Sequence, residues 1–173
     1  MTRIGSHLRS QMHIQSILQV LVLLTLANGA PVVAKKIFGD RFNVPLDGGL
    51  ALFDSRPLFG PSKTLRGLAV AILVTAAAAP LIGVSAATGM IVAAAAMAGD
   101  LVSSFVKRRL DFKPSSQALG LDQIPESLLP MLAVSEALPL STLDIAAGIA
   151  IFFVAELALS RLLFKAHLRD EPY

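Results

Sequence analysis

Five long apolar segments, separated by clusters of charged residues, constrain this chain more than any other feature of its sequence. They lie at residues 14–34, 68–84, 86–106, 124–138 and 143–164. A helix that crosses a bilayer needs about 20 mostly apolar residues. Only 16% of the residues are charged, whereas a soluble domain has about 25%. The pattern predicts an all-α integral membrane protein with about five transmembrane helices, forming a single domain over residues 1–173.

Positive residues are distributed unevenly between the segments. Thirteen of the fifteen Lys and Arg residues fall where a five-helix topology places one side of the membrane: residues 35–66, 107–123 and 161–169. The other side receives only Arg3 and Arg9. Cytoplasmic loops of membrane proteins are enriched in Lys and Arg. We therefore predict a multi-pass protein of the cytoplasmic membrane, with its N-terminus outside and its polar loops, and any active site, facing the cytoplasm.

The composition also excludes some classes of function. The chain contains no cysteine, so it has no disulfide, thiolate nucleophile or zinc–thiolate site. The net charge of +3 comes from residues that flank apolar runs, as membrane topology requires, and no nucleic-acid partner is expected. A homo-oligomer is compatible with this composition. Residues 1–29 also resemble a cleavable signal peptide, because two arginines precede an apolar run that ends in small residues.

The stretch GDLVSSFVKRR, residues 99–109, places charged side chains at the end of the third apolar segment. At helical spacing, four polar residues share one face: Asp100, Ser103, Ser104 and Lys107. Ionisable residues in membrane helices usually face the bundle interior or a wet cavity and mark function. We interpret this face as part of a site, although pairing of Asp100 with Lys107 or with an arginine at the membrane edge is a simpler alternative. For Arg109, which lies outside this face, we predict membrane anchoring.

The stretch LFGPSKTLRG, residues 58–67, immediately precedes the second apolar segment. Glycine and proline indicate a loop, and Lys63, Thr64 and Arg66 follow at the predicted start of a helix. Lys and Arg bind phosphate oxygens, and the N–H groups of a helix start add to this attraction. The stretch is not a P-loop, since Ser62 stands where that motif has glycine. It is a candidate phosphate site, with an interfacial helix start as the alternative.

The stretch LDQIPESLL, residues 121–129, opens the fourth apolar segment. Asp122 and Glu126 are four residues apart and share a helical face, where like charges repel unless a cation lies near them. Mg²⁺ takes oxygen ligands, usually one or two carboxylates together with substrate phosphates. The pair therefore indicates a metal site, and N-capping is the alternative for Asp122. Asn28, in the stretch NGAP (residues 28–31), is a candidate to hydrogen-bond a ligand or a neighbouring helix.

The remaining acidic residues belong to no motif. Asp47 precedes two glycines, and Asp54 lies two residues from Arg56, which is typical of solvated turns. Glu136 and Glu156, inside apolar segments, fit either a contact between helices or a functional acid. We assign none of them to the site.

Together, the four motifs resemble the CDP-archaeol synthase family, relatives of the phosphatidate cytidylyltransferases. NGAP, LFGPSKTLRG, GDLVSSFVKRR and LDQ occur in the family's order, over residues 28–130. The resemblance implies five spans with a cytoplasmic site. It also implies an enzyme that joins CTP to a lipid phosphate in the bilayer, releases pyrophosphate and leaves a CDP-activated lipid. The lipid would be an archaeal-type ether lipid or a phosphatidate-like one, and the cofactor Mg²⁺.

The resemblance also implies roles for individual residues. The catalytic residues would be Asp100, Asp122 and Lys63. The metal ligands would be Asp100 and Asp122, with Glu126 as a third candidate because of its spacing to Asp122. The substrate-binding residues would be Asn28, Lys63, Thr64, Arg66, Ser104, Lys107 and Arg108. The chain departs from the family at one point, because Pro125 stands where an aspartate usually follows LDQ and Glu126 comes one residue later.

Two other classes of membrane protein compete with this interpretation. A small transporter or assembly protein would be non-catalytic, but transporters place polar groups near the bilayer midplane, whereas here they cluster at one interface. A CDP-alcohol phosphotransferase would carry a paired aspartate signature that this sequence lacks.

Overall fold

The computed structural model describes residues 12–113 and 116–165, the last three by their backbone alone. This part of the chain forms five α-helices: α1 (Ile14–Phe38), α2 (Leu65–Ala78), α3 (Ala86–Arg109), α4 (Gln123–Ala133) and α5 (Thr142–Lys165). A short 3-10 helix, Ala79–Ile82, extends α2. The predicted all-α architecture is confirmed. Arg3, Arg9 and Arg169, which entered the charge distribution, lie outside the described residues.

Four of the five described helices are long and apolar enough to cross a membrane: α1, α2 with its 3-10 extension, α3 and α5. The exception, α4, has 11 residues. At a rise of 1.5 Å per residue it is about 16 Å long, roughly half the thickness of the hydrocarbon core. The predicted span over residues 124–138 is therefore shorter as a helix, and residues 134–139 form turns.

Contacts between the helix ends show that the chain still crosses the bundle five times. At one end, His13, just before α1, hydrogen-bonds Asp144 in the first turn of α5. At the other end, Lys107 of α3 pairs with Asp122, just before α4. The segment of α4 and its following turns therefore returns the chain across the bundle. We call the end with His13 and Asp144 the turn end and the opposite end the loop end, because the latter carries residues 39–64, 110–113 and 116–122.

Small residues allow the helices to approach closely around the apolar core. The core includes fully buried side chains of α1 and α3: Val20, Leu23, Leu24, Val92, Ala93 and Ala96. A Cβ on Gly89 would lie 2.6 Å from the Cβ of Ala79. One on Gly99 would lie 2.7 Å from the backbone nitrogen of Glu126 and would also clash with the Pro125 carbonyl. Gly89 thus lets α3 lie close to α2 and its 3-10 extension, and Gly99 lets α3 lie close to α4.

The first helix is a continuous part of this bundle. It runs through the NGAP motif, with Pro31 inside it, and ends at Phe38 rather than at the predicted residue 34. Leu23 and Leu24, which a signal peptide over residues 1–29 would include, are fully buried in the core. Residues 14–29 therefore belong to the fold as the structure describes it.

Candidate functional site

The first loop, residues 39–64, folds back on itself at the loop end and brings Lys63 to α3. Pro45 and Thr64 form an isolated antiparallel bridge. The backbone N–H of Leu46 donates to the carbonyl of Lys63 over 2.7 Å. These bonds hold the end of the loop in an extended form immediately before α2, so that the Lys63 side chain reaches a neighbouring helix.

Lys63 and Asp100 form the first ion pair of the candidate site. The Lys63 Nζ lies 2.6 Å from both carboxylate oxygens of Asp100. Each side chain is 23% exposed, so the pair is sheltered but still reachable from solvent. The alternative that Asp100 pairs with Lys107 is therefore wrong, and the structure joins two motifs that are 37 residues apart.

Lys107 and Asp122 form the second ion pair, one that is more deeply buried. The Lys107 Nζ lies 2.6 Å from Oδ1 of Asp122 and donates to the carbonyl of Ser116 over 2.9 Å. The side chains are 9% and 14% exposed. Asp122 occupies the N-cap position of α4, but its side chain does not cap the helix; its Oδ2 accepts from the N–H of Ala118 instead. The capping alternative is therefore wrong.

Arg108 lies under the first loop and is 4% exposed. One guanidinium nitrogen donates to the carbonyl of Lys113 over 2.7 Å. A Cβ on Gly60 would lie 3.5 Å from the other terminal nitrogen, and Gly60 has a φ of +96°, which favours glycine. The loop can therefore lie close over the guanidinium, whose positive charge interacts with Asp122 of the second ion pair.

The serines of α3 connect the helix to the segment that precedes α4. The Ser103 hydroxyl bonds to the carbonyls of Gly99 (2.9 Å) and Leu121 (2.6 Å). Ser104 is 3% exposed. The polar face predicted for residues 100–107 thus points into the bundle. Ser103, which belongs to the predicted face but was given no individual role, fixes the backbone next to Asp122.

Glu126 is a buried acid between α3 and α4. Its backbone nitrogen lies at the close approach to Gly99, and the residue is 8% exposed. The charged groups that act on it include Asp100, Glu156 and Lys63. The structure therefore brings Glu126 near the first ion pair, together with Glu156 of α5, which sequence reasoning did not assign to the site.

Thr64 and Arg66 both organise the start of α2. The Thr64 hydroxyl caps the helix by accepting from the N–H of Gly67 over 3.1 Å. Arg66 donates through one nitrogen to the carbonyls of Gly39 (2.7 Å) and Arg41 (2.6 Å). Arg66 therefore joins the end of α1 to the start of α2, a role that its motif did not predict.

Asn28 contributes a buried amide on α1. Both its oxygen and its nitrogen are inaccessible, and neither has a hydrogen-bond partner within the described part of the chain. A buried amide without partners costs about 1–3 kcal/mol. That cost is removed if a ligand supplies both a donor and an acceptor, so the structure is compatible with the predicted binding role of Asn28.

Arg109 is not a free membrane anchor, contrary to the prediction. Its guanidinium bonds to the Asp54 carboxylate over 2.7 Å and to the carbonyl of Pro57 over 2.6 Å. It also lies over the ring of Phe105, 5.3 Å from the centroid. In return, Arg56 donates to the carbonyl of Arg109 over 2.7 Å. This exchange attaches the first loop to the end of α3.

Asp47 is likewise more than a solvated turn residue. Its Oδ2 accepts from the N–H groups of Phe59 (2.9 Å) and Gly60 (3.0 Å), and its Oδ1 accepts from Gly49 (3.0 Å). Burial raises the pKa of Asp47, but these backbone hydrogen bonds outweigh it and hold the pKa below its ordinary value of 3.8. The Asp-Gly-Gly sequence predicts the turn, but it does not predict the contact of Asp47 with Phe59, twelve residues away.

The acidic residues do not form a complete metal cage by themselves. No three acidic or histidine side chains converge on one point in residues 12–113 and 116–165. Mg²⁺ often uses only one or two carboxylates and completes its shell with phosphates and water. Asp100 and Asp122 supply suitable hard oxygen donors at the loop end, so the donor set fits such a cation.

Comparison with known proteins identifies a family for this arrangement. Residues 13–173 match the family model described as CarS-like, CDP-archaeol synthase. A CDP-archaeol synthase of Hyperthermus butylicus is 39% identical over 118 residues, which are 64% of this chain and 66% of that protein. One of Pyrobaculum calidifontis is 32% identical over 85% of this chain and 90% of that protein.

A solved structure has the same fold. It is that of an intramembrane enzyme for archaeal membrane lipid biosynthesis, with 31% sequence identity and a TM-score of 0.66. The match covers 80% of this chain and 90% of the other. The chain belongs to the CDP-archaeol synthase family.

Proposed function

We propose that this chain transfers the cytidylyl group of CTP to the phosphate of a membrane lipid, releases pyrophosphate and depends on Mg²⁺. Membership of the family makes it a CTP-dependent cytidylyltransferase of membrane lipids and excludes the non-catalytic alternative. The proposed residue roles rest on one observation, the presence of two Lys–Asp ion pairs, Lys63–Asp100 and Lys107–Asp122, at the same end of the bundle.

The reaction needs charge neutralisation and alignment more than covalent help from the protein. A phosphate oxygen of the lipid attacks the α-phosphorus of CTP. The bond from that phosphorus to the bridging oxygen of the β-phosphate breaks, and pyrophosphate leaves with the electron pair. A lipid phosphate monoester is largely ionised at neutral pH, so the site requires no general base. The lysine, arginine and carboxylate side chains at the loop end suit such neutralisation and alignment of charge.

The cations of the loop end suit the binding of a triphosphate. Lys63, Lys107 and Arg108 lie close to the proposed metal ligands, where they offset negative charge as it moves to the leaving group. The helices α2 and α4 begin at the same end, and N–H groups at helix starts attract phosphate. In this proposal, Thr64 and Arg66 shape the start of α2, whereas Ser104 and Asn28 contact the polar parts of the substrates.

Asp100 and Asp122 are the proposed metal ligands, and Glu126 is a third candidate. Mg²⁺ would contribute charge neutralisation at the phosphate oxygens. Each aspartate faces a lysine ammonium group in the structure, Lys63 for Asp100 and Lys107 for Asp122. Glu126 is buried and interacts electrostatically with Asp100, so it would be a further oxygen donor near the ligand set.

The proposed acceptor is an archaeal-type ether lipid. The relatives carry the name CDP-archaeol synthase, and the solved structure is described as an enzyme for archaeal membrane lipids. A phosphatidate-like ester lipid is the competing acceptor. We also propose that the loop end faces the cytoplasm, where CTP is available, because thirteen of the fifteen basic residues favour that side.

An acceptor panel tests this function. Purified full-length protein in detergent micelles is incubated with CTP, with or without Mg²⁺, and with an ether-linked or an ester-linked lipid phosphate. Pyrophosphate release and the mass of the CDP-lipid are measured. We expect stoichiometric pyrophosphate and CDP-lipid, with the ether lipid preferred, and no product without a divalent cation.

Two results would reject parts of the proposal. The absence of product with every acceptor would reject the transfer reaction. Equal turnover in the presence of a metal chelator would reject the metal-dependent mechanism while leaving the transferase activity. The Asp100→Asn variant serves as the inactive control, since an amide weakens the binding of a hard cation.

A further inference from the structure

The position of Lys63 must be set by the first loop, because Lys63 lies outside any helix. The residue precedes Thr64, the N-cap of α2, and its ammonium group must reach Asp100 on α3. The ion pair is therefore only as well placed as the loop backbone that carries it. A group that holds this backbone would therefore also position Lys63.

Asp47 makes the side-chain contact that fixes the loop just before Lys63. Its Oδ2 accepts from the N–H groups of Phe59 and Gly60. The carbonyl of Gly60 in turn accepts from the N–H of Lys63 over 3.2 Å. Hydrogen bonds from backbone N–H groups to a carboxylate are roughly twice as strong as neutral ones. A short chain of bonds therefore leads from the carboxylate to the lysine backbone.

The backbone beside Asp47 supports Lys63 from its other side. Leu46 donates its N–H to the carbonyl of Lys63 over 2.7 Å. Asp47 itself is held in a tight turn, where its Oδ1 accepts from Gly49 and its carbonyl accepts from Leu50. Two consecutive residues, 46 and 47, thus bind the loop on both sides of residues 61–62.

We propose that Asp47 is a positioning residue for the reaction, which holds Lys63 in line with Asp100 through the backbone of Phe59 and Gly60. Asp47 touches neither substrate nor metal in this scheme. The inference rests on the proposed function to the extent that Lys63 serves catalysis. A misplacement of about 1 Å far from the chemistry can reduce the rate about 10²-fold, so the effect of Asp47 acting through Lys63 is measurable.

Lysine labelling distinguishes positioning from general destabilisation. Full-length wild type, Asp47→Ala and the milder Asp47→Asn are briefly acetylated in micelles, and each lysine is quantified by mass spectrometry. We expect labelling of Lys63 to rise several-fold in Asp47→Ala and less in Asp47→Asn, because a paired ammonium group is protected. Labelling of Lys107, whose partner Asp122 lies outside the first loop, should not change. Asp40→Asn, an exposed aspartate of the same loop, is the matched control and should behave as wild type.

Turnover of the same variants completes the test. We expect kcat/KM to fall roughly 10- to 100-fold in Asp47→Ala, with a partial recovery in Asp47→Asn, which keeps one acceptor oxygen. Unchanged Lys63 labelling and turnover in both variants would overturn the inference. So would a parallel rise at Lys63 and Lys107, because that pattern means loosening of the whole fold. Full activity of Lys63→Ala would instead reject the catalytic role of Lys63, while the labelling result would still report on its position.

Discussion

The two ends of the bundle both shelter aspartates, but they satisfy them in different ways. At the turn end, Asp144 is fully buried. It accepts from the backbone N–H of His13 and from both the N–H and the hydroxyl of Ser141, and it pairs with the His13 ring. At the loop end, Asp100 is 23% exposed and faces the ammonium group of Lys63. The Asp144 carboxylate is thus saturated by fixed groups, whereas the Asp100 carboxylate faces a long, flexible side chain.

This difference separates a structural carboxylate from one suited to binding. Four short contacts to backbone and neighbouring side chains leave Asp144 no capacity for another ligand, so its function is to join α1 to α5. A lysine ammonium at a reachable position is a counter-ion that can rearrange when phosphate or a divalent cation arrives. The contrast leads to five predictions, beginning with the largest effect.

The Asp100→Asn variant should lose turnover at the loop end. An amide neither neutralises Lys63 nor binds a hard cation well, so we expect kcat to fall by about 10²–10³-fold or more. The thermal unfolding temperature should change little, because the pair is partly exposed. CDP-lipid formation and the unfolding temperature are measured on the same preparation. Near-normal turnover would remove Asp100 from the metal site, and the same assay on Asp122→Asn tests the second pair.

The Gly99→Ala variant should impair both stability and activity. Its Cβ would clash with the backbone of Pro125 and Glu126, which cannot move as a side chain does. Overpacking of this kind typically costs about 1–3 kcal/mol, and α4 would shift together with Asp122. Chemical unfolding and turnover are compared with those of Ala98→Gly, a neighbouring exposed position on α3. Wild-type values for Gly99→Ala would contradict the close approach of α3 and α4.

The Asp144→Ala variant should affect stability without affecting the chemistry. It leaves the N–H groups of His13 and Ser141 without their acceptor, at a cost of about 1–3 kcal/mol. We expect a lower unfolding temperature, while kcat/KM of the folded fraction stays close to wild type. A selective loss of kcat at full stability would show that the turn end takes part in catalysis and would remove the contrast between the ends.

The Arg109→Lys variant distinguishes a loop clamp from a membrane anchor. Lysine keeps the positive charge but cannot bond at once to Asp54 and to the Pro57 carbonyl as the guanidinium does. We expect about 1 kcal/mol of destabilisation and increased hydrogen exchange at residues 54–58, with unchanged membrane orientation. Wild-type exchange in that loop would restore the anchoring interpretation.

The smallest predicted effect is a pH response of the first loop. The pKa of Asp47 lies below 3.8 in the folded chain, so its bonds are fully present above that pH and are lost as the pH falls through the lower folded value. The amide NMR shifts of Phe59 and Gly60, followed from pH 6 downward in micelles, should change with a midpoint below 3.8. A midpoint at or above this value would mean that the carboxylate does not hold these amides.

Much of the fold could be predicted because it depends on local patterns. Apolar length located the helices, and the spacing of Asp100, Ser103, Ser104 and Lys107 placed them on one inward face. The limits of α4 could not be predicted in this way, since residues 134–138 contain neither glycine nor proline to end a helix and yet form turns. Nor could the sequence predict which charged side chains pair with each other. Lys107 is the nearer cation to Asp100 along the chain, but Lys63 is the one that pairs with it.

From the sequence alone follow the class of protein, the approximate positions of the helices and the residue types of the four motifs, because these depend on hydropathy, helical period and motif order. The tertiary structure alone decided which cation meets which carboxylate and which groups hold the first loop. Asp47 and Arg109 illustrate the reason. Their partners lie 12 and 55 residues away, and the folded backbone must bring them within about 3 Å before a hydrogen bond can form.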